Sequence, residues 1–311
     1  GGGCYMRWSG KRVLVTGAAG FKGHHLVRRL VELNAEVIAV DNFSLGVKRN
    51  LSFFEGEILC MDVSAKDFVT SIKGDIDYIF HFGAPSSVIL FKKDPEKMFR
   101  ETISGFINIM ELAKNKAVTK VVYPSSGSVY GRTPPPHSEM SIPQPVNLYG
   151  IAKLTCEMIA NFYRDTVNSV GLRIFAGYGP GEEHKGDIAS PVTIFLRAIM
   201  KNKRPVVFGD GTQSRDFIYI DDIVEAIIRA AERETPPVIN VGSGKSYTFN
   251  YVIKLINELL EKNIKPIYVP KPKNYLERTQ ADITLMKKFL EINPISLEDG
   301  LSRYLKVLGL R

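Results

Sequence analysis

The chain has 311 residues, 44% hydrophobic and 24% charged, which is the composition of a soluble globular protein with room for one large domain or two closely joined ones. Its 41 lysines and arginines against 33 aspartates and glutamates give a net charge of +8, which suits an acidic ligand. The cations are scattered, with no basic run interleaved with aromatics, and this argues against a nucleic-acid partner.

In chain order, "GGGCYMRWSGKR" lacks the apolar region of a signal peptide, and with the first methionine at Met6, residues 1–5 read as an expression remnant. "RVLVT" (12–16) and "EVIAV" (36–40) read as short buried strands joined by a helical pattern, "GHHLVRRLVELN", which makes a βαβ unit. "EILCM" (57–61) and "DYIFHF" (77–82) continue the alternation, followed by a long helix over 95–116. Then come "KVVYPSS" (120–126), a helix over 149–168 and "VGLRIF" (170–175). Near-continuous apolar strands alternating with helices predict a Rossmann-like, doubly wound α/β parallel sheet covered on both faces.

After Phe175 the rhythm loosens. "YGPGEEHKGDIASP" is a loop, "IFLRAIMKN" is helical, and "PVVFGDGTQSRDFIYI" has a glycine turn between two β-like runs. Helices follow around 248–262, 283–291 and 297–308. The expected division is a first domain over 6–175, with parts of 215–245 returning to it, and a smaller mixed α/β lobe from 176–214 and 246–311. Cys4, Cys60 and Cys156 form no CxxC pair, so neither a disulfide framework nor a zinc site is indicated, and a cytoplasmic location is expected. No apolar stretch approaches the roughly 20 residues of a membrane span.

"TGAAGFKGHH" (16–25) follows the first strand and opens the first helix. Gly17, Gly20 and Gly23 stand three apart rather than as GxGxxG, and by itself the loop could be a structural turn. In this context Gly17 permits the tight turn, Gly20 lets the backbone approach a pyrophosphate, and Gly23 permits close helix packing, with free N–H groups facing the anion. Asp41, 18 residues after Gly23, can accept hydrogen bonds from the adenosine ribose and would repel a 2′-phosphate, so NAD is favoured over NADP. Asp62, at the end of the third strand, lies where the adenine edge would fall. A strand-end carboxylate can also simply cap a turn, but two behind a glycine loop favour NAD. His24 and His25 point about 100° apart on a helix and no third ligand is evident, so no metal is expected. Lys22 presents its backbone N–H to the pyrophosphate, and its ammonium either adds a point charge there or is solvated.

"YGIAK" places Tyr149 and Lys153 four apart at a helix start, on one face. "PSSGSVYG" places Ser125, Ser126 and Ser128 just beyond the fifth strand, at the edge where open α/β sheets bind ligands. Tyrosine, with a reference pKa of about 10, is a poor base at neutral pH. A nearby lysine and a positive nicotinamide ring would stabilise its phenolate, and a serine hydroxyl can hold the substrate oxygen and relay a proton.

The blocks "VLVTGAAGF", "VDNFS", "YIFHFGAPSSV", "SSGSVYG", "YGIAK", "LRIFAGYGPG", "GDGTQSRDFIYIDDI", "VINVGSG" and "ADITLMKKFL" follow in order. From Arg12 to Leu301 the chain thus resembles the extended short-chain dehydrogenases/reductases, and among them the nucleotide-sugar epimerases typified by UDP-glucose 4-epimerase. The resemblance implies Tyr149 as the base for the sugar 4-hydroxyl, Lys153 on the nicotinamide ribose, and Ser126 at the catalytic Ser/Thr position. It implies Arg215 gripping the nucleotide diphosphate, with Arg278 as a second such cation. It places NAD against Gly17, Gly20, Phe21, Lys22, Gly23, Asp41, Asn42, Asp62, Val63, Phe82, Gly83, Ala84, Thr102, Tyr149, Lys153 and Phe175. The substrate would meet Ser86, Ser126, Tyr149, Ala176, Arg215, Arg278 and Thr279.

Related dehydratases commonly carry an acidic pair after the catalytic Ser/Thr, and UDP-glucuronate decarboxylases a glutamate at the second of those positions. Here stand Gly127 and Ser128, which disfavours both alternatives. The resemblance then implies UDP-glucose/UDP-galactose interconversion through a transient 4-keto sugar, with bound NAD regenerated in each cycle. Ala176 and Thr102 depart from the family's usual asparagines. Thr279 aligns with a position where a small residue admits N-acetylated sugars, so UDP-N-acetylhexosamines are expected to be tolerated. A non-catalytic NAD-binding protein would need no such set as Tyr149, Lys153 and Ser126. In similar proteins the helices over 95–116 and 149–168 form a homodimer interface, for which Met98, Phe106, Ile109 and Met110 are candidates, although core burial explains them as well.

Overall fold

Strands buried on both faces need a helical layer on each side, and the computed structural model of the chain, which describes residues 7–310, has that arrangement. The proposed expression remnant, residues 1–5, lies outside the described residues. The first half contains β1 (Arg12–Thr16), β2 (Glu36–Asp41), β3 (Glu57–Cys60), β4 (Tyr78–His81), β5 (Lys120–Ser126) and β6 (Ser169–Ile174). Its helices are α1 (Phe21–Glu32), α2 (Phe68–Ser71), α3 (Val88–Lys93), α4 (Pro95–Lys116) and α5 (Leu148–Phe162). Next come β7 (Ala176–Tyr178), β8 (Val206–Phe208), β9 (Ser214–Arg215), β10 (Phe217–Tyr219), β11 (Val238–Val241), β12 (Tyr247–Thr248) and β13 (Ile267–Val269). The helices of this part are α6 (Pro191–Met200), α7 (Ile220–Glu232), α8 (Phe249–Leu260) and α9 (Leu297–Val307).

Seven strands form one parallel sheet in the order β11-β6-β5-β4-β1-β2-β3. Alternate residues feed the two layers. Leu14, Ile79, Val121 and Tyr123 pack with Phe106, Ile109, Met110 and Cys156 of α4 and α5. Val13, Val15, Phe80, Val122 and Leu172 pack with Leu26 and Leu30 of α1 and Ile223 and Ile227 of α7. The segment after β10 therefore returns to the sheet, with α7 covering one face and β11 extending its edge. Of the four residues considered for a dimer face, Phe106, Ile109 and Met110 are core. The exposed large apolar side chains on these helices are Ile107, Leu148, Ile151, Met158 and Phe162.

One local expectation is corrected. The helix expected over 149–168 ends at Phe162, because Arg164 N–H bonds to Asn161 O and Val167 N–H to Tyr163 O, turning the chain into β6. The two β-like runs around "GDG" do not pair with each other. Instead β8 pairs with β13, β9 with β12 and β10 with β7, so the strands outside the seven-stranded sheet form short two-stranded pieces. Among the described residues no helix is long and apolar enough to cross a membrane.

Behind β5 lies a buried ion pair. Arg173 of β6 grips Glu157 of α5 with both ends of its guanidinium, at 2.7 and 2.9 Å, and also donates to the Tyr130 hydroxyl at 3.0 Å. Ser125 completes the acceptor set of Glu157 at 2.5 Å. Removing one partner strands the other charge in the core, at a cost of about 3–5 kcal/mol. Glu157→Ala is accordingly expected to lower the denaturant midpoint far more than Glu96→Ala, which breaks only an exposed pair with Arg100; equal midpoints would contradict this.

Candidate active site

The strand order reverses between β1 and β4, and open α/β sheets bind ligands at such a point, beyond the carboxyl ends of the strands. A cleft of about 1200 Å³ opens there. Gly17 has φ +67°, and a Cβ on it would lie 2.3 Å from the Phe82 carbonyl oxygen. A Cβ on Gly23 would lie 1.9 Å from the Gly17 oxygen. The turn is thus pressed against the end of β4 and the start of α1, where only bare backbone fits. Thr16 braces the same corner, its hydroxyl 2.7 Å from His81 Nδ1 and accepting from Gly83 N–H at 3.0 Å.

Asp41 accepts from Ala19 N–H at 2.9 Å and Phe43 N–H at 2.7 Å, which ties the end of β2 to the glycine turn while leaving the carboxylate on the cleft wall. Asp62 accepts from the N–H and hydroxyl of Ser64, at 2.9 and 2.7 Å, so it caps a turn and lines the cleft at once. Gly20, Phe21, Lys22, Asn42, Val63, Gly83, Ala84 and Phe175 share this wall. Thr102 does not. It is buried within α4 and its hydroxyl donates to Met98 O at 2.7 Å, which removes it from the residues facing a ligand. A cradle that a Cβ would fill, beside a strand-end carboxylate, fits the pyrophosphate and ribose of NAD.

Ser126 ends β5, and its oxygen accepts from Ser128 N–H at 3.0 Å. Asn147 caps α5 by accepting from Gly150 N–H at 2.8 Å, which fixes where the helix begins and so where Tyr149 stands. Tyr149 packs on Phe91, with ring centroids 5.6 Å apart, and Lys153 Nζ lies 5.6 Å from the Tyr149 ring. Burial pushes the Tyr149 phenol up to about 12, with the Ser126 hydroxyl opposing the shift, and burial pushes Lys153 down. A phenolate near neutral pH therefore needs added positive charge close by, which a nicotinamide ring would bring.

On the other wall, Arg215 lies over the rings of Phe249 and Tyr275, at 5.5 and 5.1 Å, and donates to Ser214 O at 2.8 Å. Ser86, Ala176 and Thr279 line the same space. Arg278 is exposed outside it and bonds to Gln280, so the second expected cation is not in the cleft. Sequence reading missed Lys185, Tyr275 and Asn147 on the wall. The Asn-x-x-Gly spacing of a helix cap was a usable signal for Asn147. Lys185, in an irregular loop, offered none. His24 and His25 pack against the Pro180–Gly181 turn, and among the described residues no three His, Cys, Asp or Glu side chains gather as a metal group.

A glycine turn, a strand-end aspartate and a Ser–Tyr–Lys group at one edge of a parallel sheet define an NAD site of the short-chain dehydrogenase/reductase type. The chain belongs to the NAD dependent epimerase/dehydratase family, whose model matches residues 13–242. The UDP-glucuronate 4-epimerase of Thermodesulfobacterium geofontis is 31% identical over 93% of this chain and 94% of its own. The crystal structure of Thermotoga maritima UDP-glucose 4-epimerase with UDP-glucose superposes with a TM-score of 0.91 at 32% identity, covering 96% of this chain and 98% of that one. The UDP-N-acetylglucosamine 4-epimerase of Methanobrevibacter ruminantium, in complex with UDP-N-acetylmuramic acid, gives 0.90 at 31%, with the same coverage. NAD is the cofactor of this family.

Asp41→Ser is expected to weaken NAD binding by about tenfold and to narrow its advantage over NADP, because the repulsion of a 2′-phosphate is lost. Titration of both dinucleotides checks this, and an unchanged NAD/NADP ratio would count against the role of Asp41.

Proposed function

We propose that the protein is a nucleotide-sugar 4-epimerase acting on UDP-glucose and UDP-galactose. The observation that carries this reading is a complete Ser126–Tyr149–Lys153 group with no carboxylate beside it. Position 127 is also tight, since a Cβ on Gly127 would lie 3.1 Å from the Phe175 ring. By the family resemblance, dehydration calls for an acidic pair at positions 127 and 128 and decarboxylation for a glutamate at 128, where this chain has Gly127 and Ser128, whereas 4-epimerisation calls for neither.

Tyr149 takes the proton of the sugar 4-hydroxyl and returns it, while Ser126 holds the same oxygen. Lys153, buried on the same helix face, stabilises the phenolate. When bound, NAD supplies a reversible hydride acceptor for C4. Arg215, within cation–π reach of two aromatic rings, suits the diphosphate, and the small Ala176 leaves room for the sugar to turn over. A second reading, tolerance for UDP-N-acetylhexosamines, is favoured by the small Thr279 on the cleft wall, whose hydroxyl is occupied by Asp216 N–H at 3.3 Å.

Tyr149→Phe is expected to lower turnover by at least about 10³-fold while NAD content and the unfolding midpoint stay near wild type; wild-type turnover would overturn the assignment. The base works deprotonated, so kcat/KM should rise with pH through the working pKa of Tyr149. Lys153→Met removes a cation that favours the phenolate and should move that rise to higher pH by about one unit. Incubation with a panel of UDP-hexoses, UDP-N-acetylhexosamines and UDP-glucuronate, followed by NMR of the products, is expected to show C4 inversion of the simple hexoses and of the N-acetylated sugars. Release of CO₂ from UDP-glucuronate would replace the epimerase reading with a decarboxylase, and inert N-acetylated sugars would remove the second reading.

A further inference from the structure

Lys22 and Lys185, far apart in the chain, both line the cleft and share one ring. Lys22 is the second residue of α1, and its Nζ lies 6.0 Å from the centroid of Phe21. Lys185 stands in the segment between β7 and α6, and its Nζ lies 5.3 Å from the same centroid. The Lys22 stem crosses toward the second lobe, with Cε 3.9 Å from where a Cβ on Gly177 would be.

Neither ammonium is well neutralised. Among the described residues Lys22 has no hydrogen-bond or ion-pair partner. The carboxylate nearest Lys185 is Glu182, at 3.9 Å. Glu182 is fully buried and already engaged by Ser190 N–H at 2.8 Å, the Ser190 hydroxyl at 3.1 Å and the Thr193 hydroxyl. The segment carrying Lys185 is also fixed in place. His25 Nε2 lies 2.6 Å from Pro180 O, His24 packs beneath Gly181, and Arg197 donates to Glu182 O at 2.7 Å.

Two cations on one partly dehydrated wall, beside a turn whose amides face outward, need an anion of matching charge. We propose that Lys22 and Lys185 form a two-lysine clamp for a diphosphate, joining the glycine turn to the second lobe across the cleft. The diphosphate is either the dinucleotide's or the nucleotide sugar's, and the clamp holds whichever sugar the site turns over.

The clamp has a proton signature. Burial, then the charge of Lys185, holds Lys22 down at about 7, with Glu182 acting in the opposite sense and Lys153 adding repulsion. An anion raises that pKa, so ligand binding takes up a proton near neutral pH, and affinity falls as pH rises above about 7. His24, His25 and His184, which flank the segment, are all held below their ordinary range and stay neutral in this window.

The test is calorimetric titration of the full chain, freed of co-purifying nucleotide, with NAD, ADP-ribose and UDP in two buffers of different ionisation enthalpy at about pH 7.5. Adenosine and uridine serve as phosphate-free controls. Lys22→Ile and Lys185→Met should each weaken the clamped ligand about tenfold, while Lys22→Arg stays near wild type. Proton uptake should vanish in Lys22→Ile. Loss confined to NAD and ADP-ribose identifies the dinucleotide as the clamped ligand, and loss confined to UDP identifies the nucleotide sugar. Unchanged affinities for all three, or equal losses for adenosine and uridine, would overturn the clamp. Because the readout is binding, failure here leaves the turnover assignment standing, and failure of turnover leaves the clamp standing.

Discussion

The contact on which the rest of the molecule depends is the approach of the Gly17 backbone to the carbonyl of Phe82. It brings the end of β1 against the end of β4 with no side chain between them, at the point where the sheet changes direction. Thr16, His81 and Gly83 share hydrogen bonds around it, and Asp41 pulls the same turn toward β2. One steric requirement therefore sets the floor of the cleft, the start of α1 and the position of the carboxylate beside it. The serine at the end of β5 and the tyrosine at the start of α5 are brought to that floor by the same parallel register.

Around this floor, buried carboxylates act as joints between segments far apart in the chain. Asp216, fully buried, accepts from Ser243 N–H and hydroxyl, Gly244 N–H and Ala281 N–H, and so ties the start of β10, the end of β11 and the stretch around Ala281 to one another. Glu182 does the same for the segment leading into α6, and Glu157 couples β5 and β6 to α5. A buried charge is tolerable only when its acceptor positions are filled, so each joint is specific to its partners. That specificity holds the irregular lobe, whose strands are too short to define it by pairing alone.

The first half of the fold was legible because its inner strands are buried on both faces and read as unbroken apolar runs, while the edge strand β3 is largely exposed. "KVVYPSS" became β5 residue for residue, and the long helix runs from Pro95 to Lys116, the bounds expected of it. The glycine turn and the Tyr149–Lys153 spacing could be read from their context, the one directly after an apolar strand and opening a helix, the other after the serine-bearing strand. The second lobe was less so. Short strands such as β9 carry no period, and their partners were not evident from local spacing. Thr102 and Arg278 were assigned by position in a family pattern, and the structure shows their side chains satisfied elsewhere. Lys185 was invisible because what gives it meaning, proximity to Phe21, is a tertiary contact.

The single tryptophan sits at the opposite end of the sheet from this chemistry. Trp8 is fully buried against Tyr78 and Phe80, and its indole N–H donates to Glu232 at the end of α7, at 3.0 Å. The beginning of the described chain is thereby latched to a helix 224 residues further along it. Tryptophan emission from this protein consequently reports closure of that latch, an optical signal of global assembly read at a distance from the bound nucleotides.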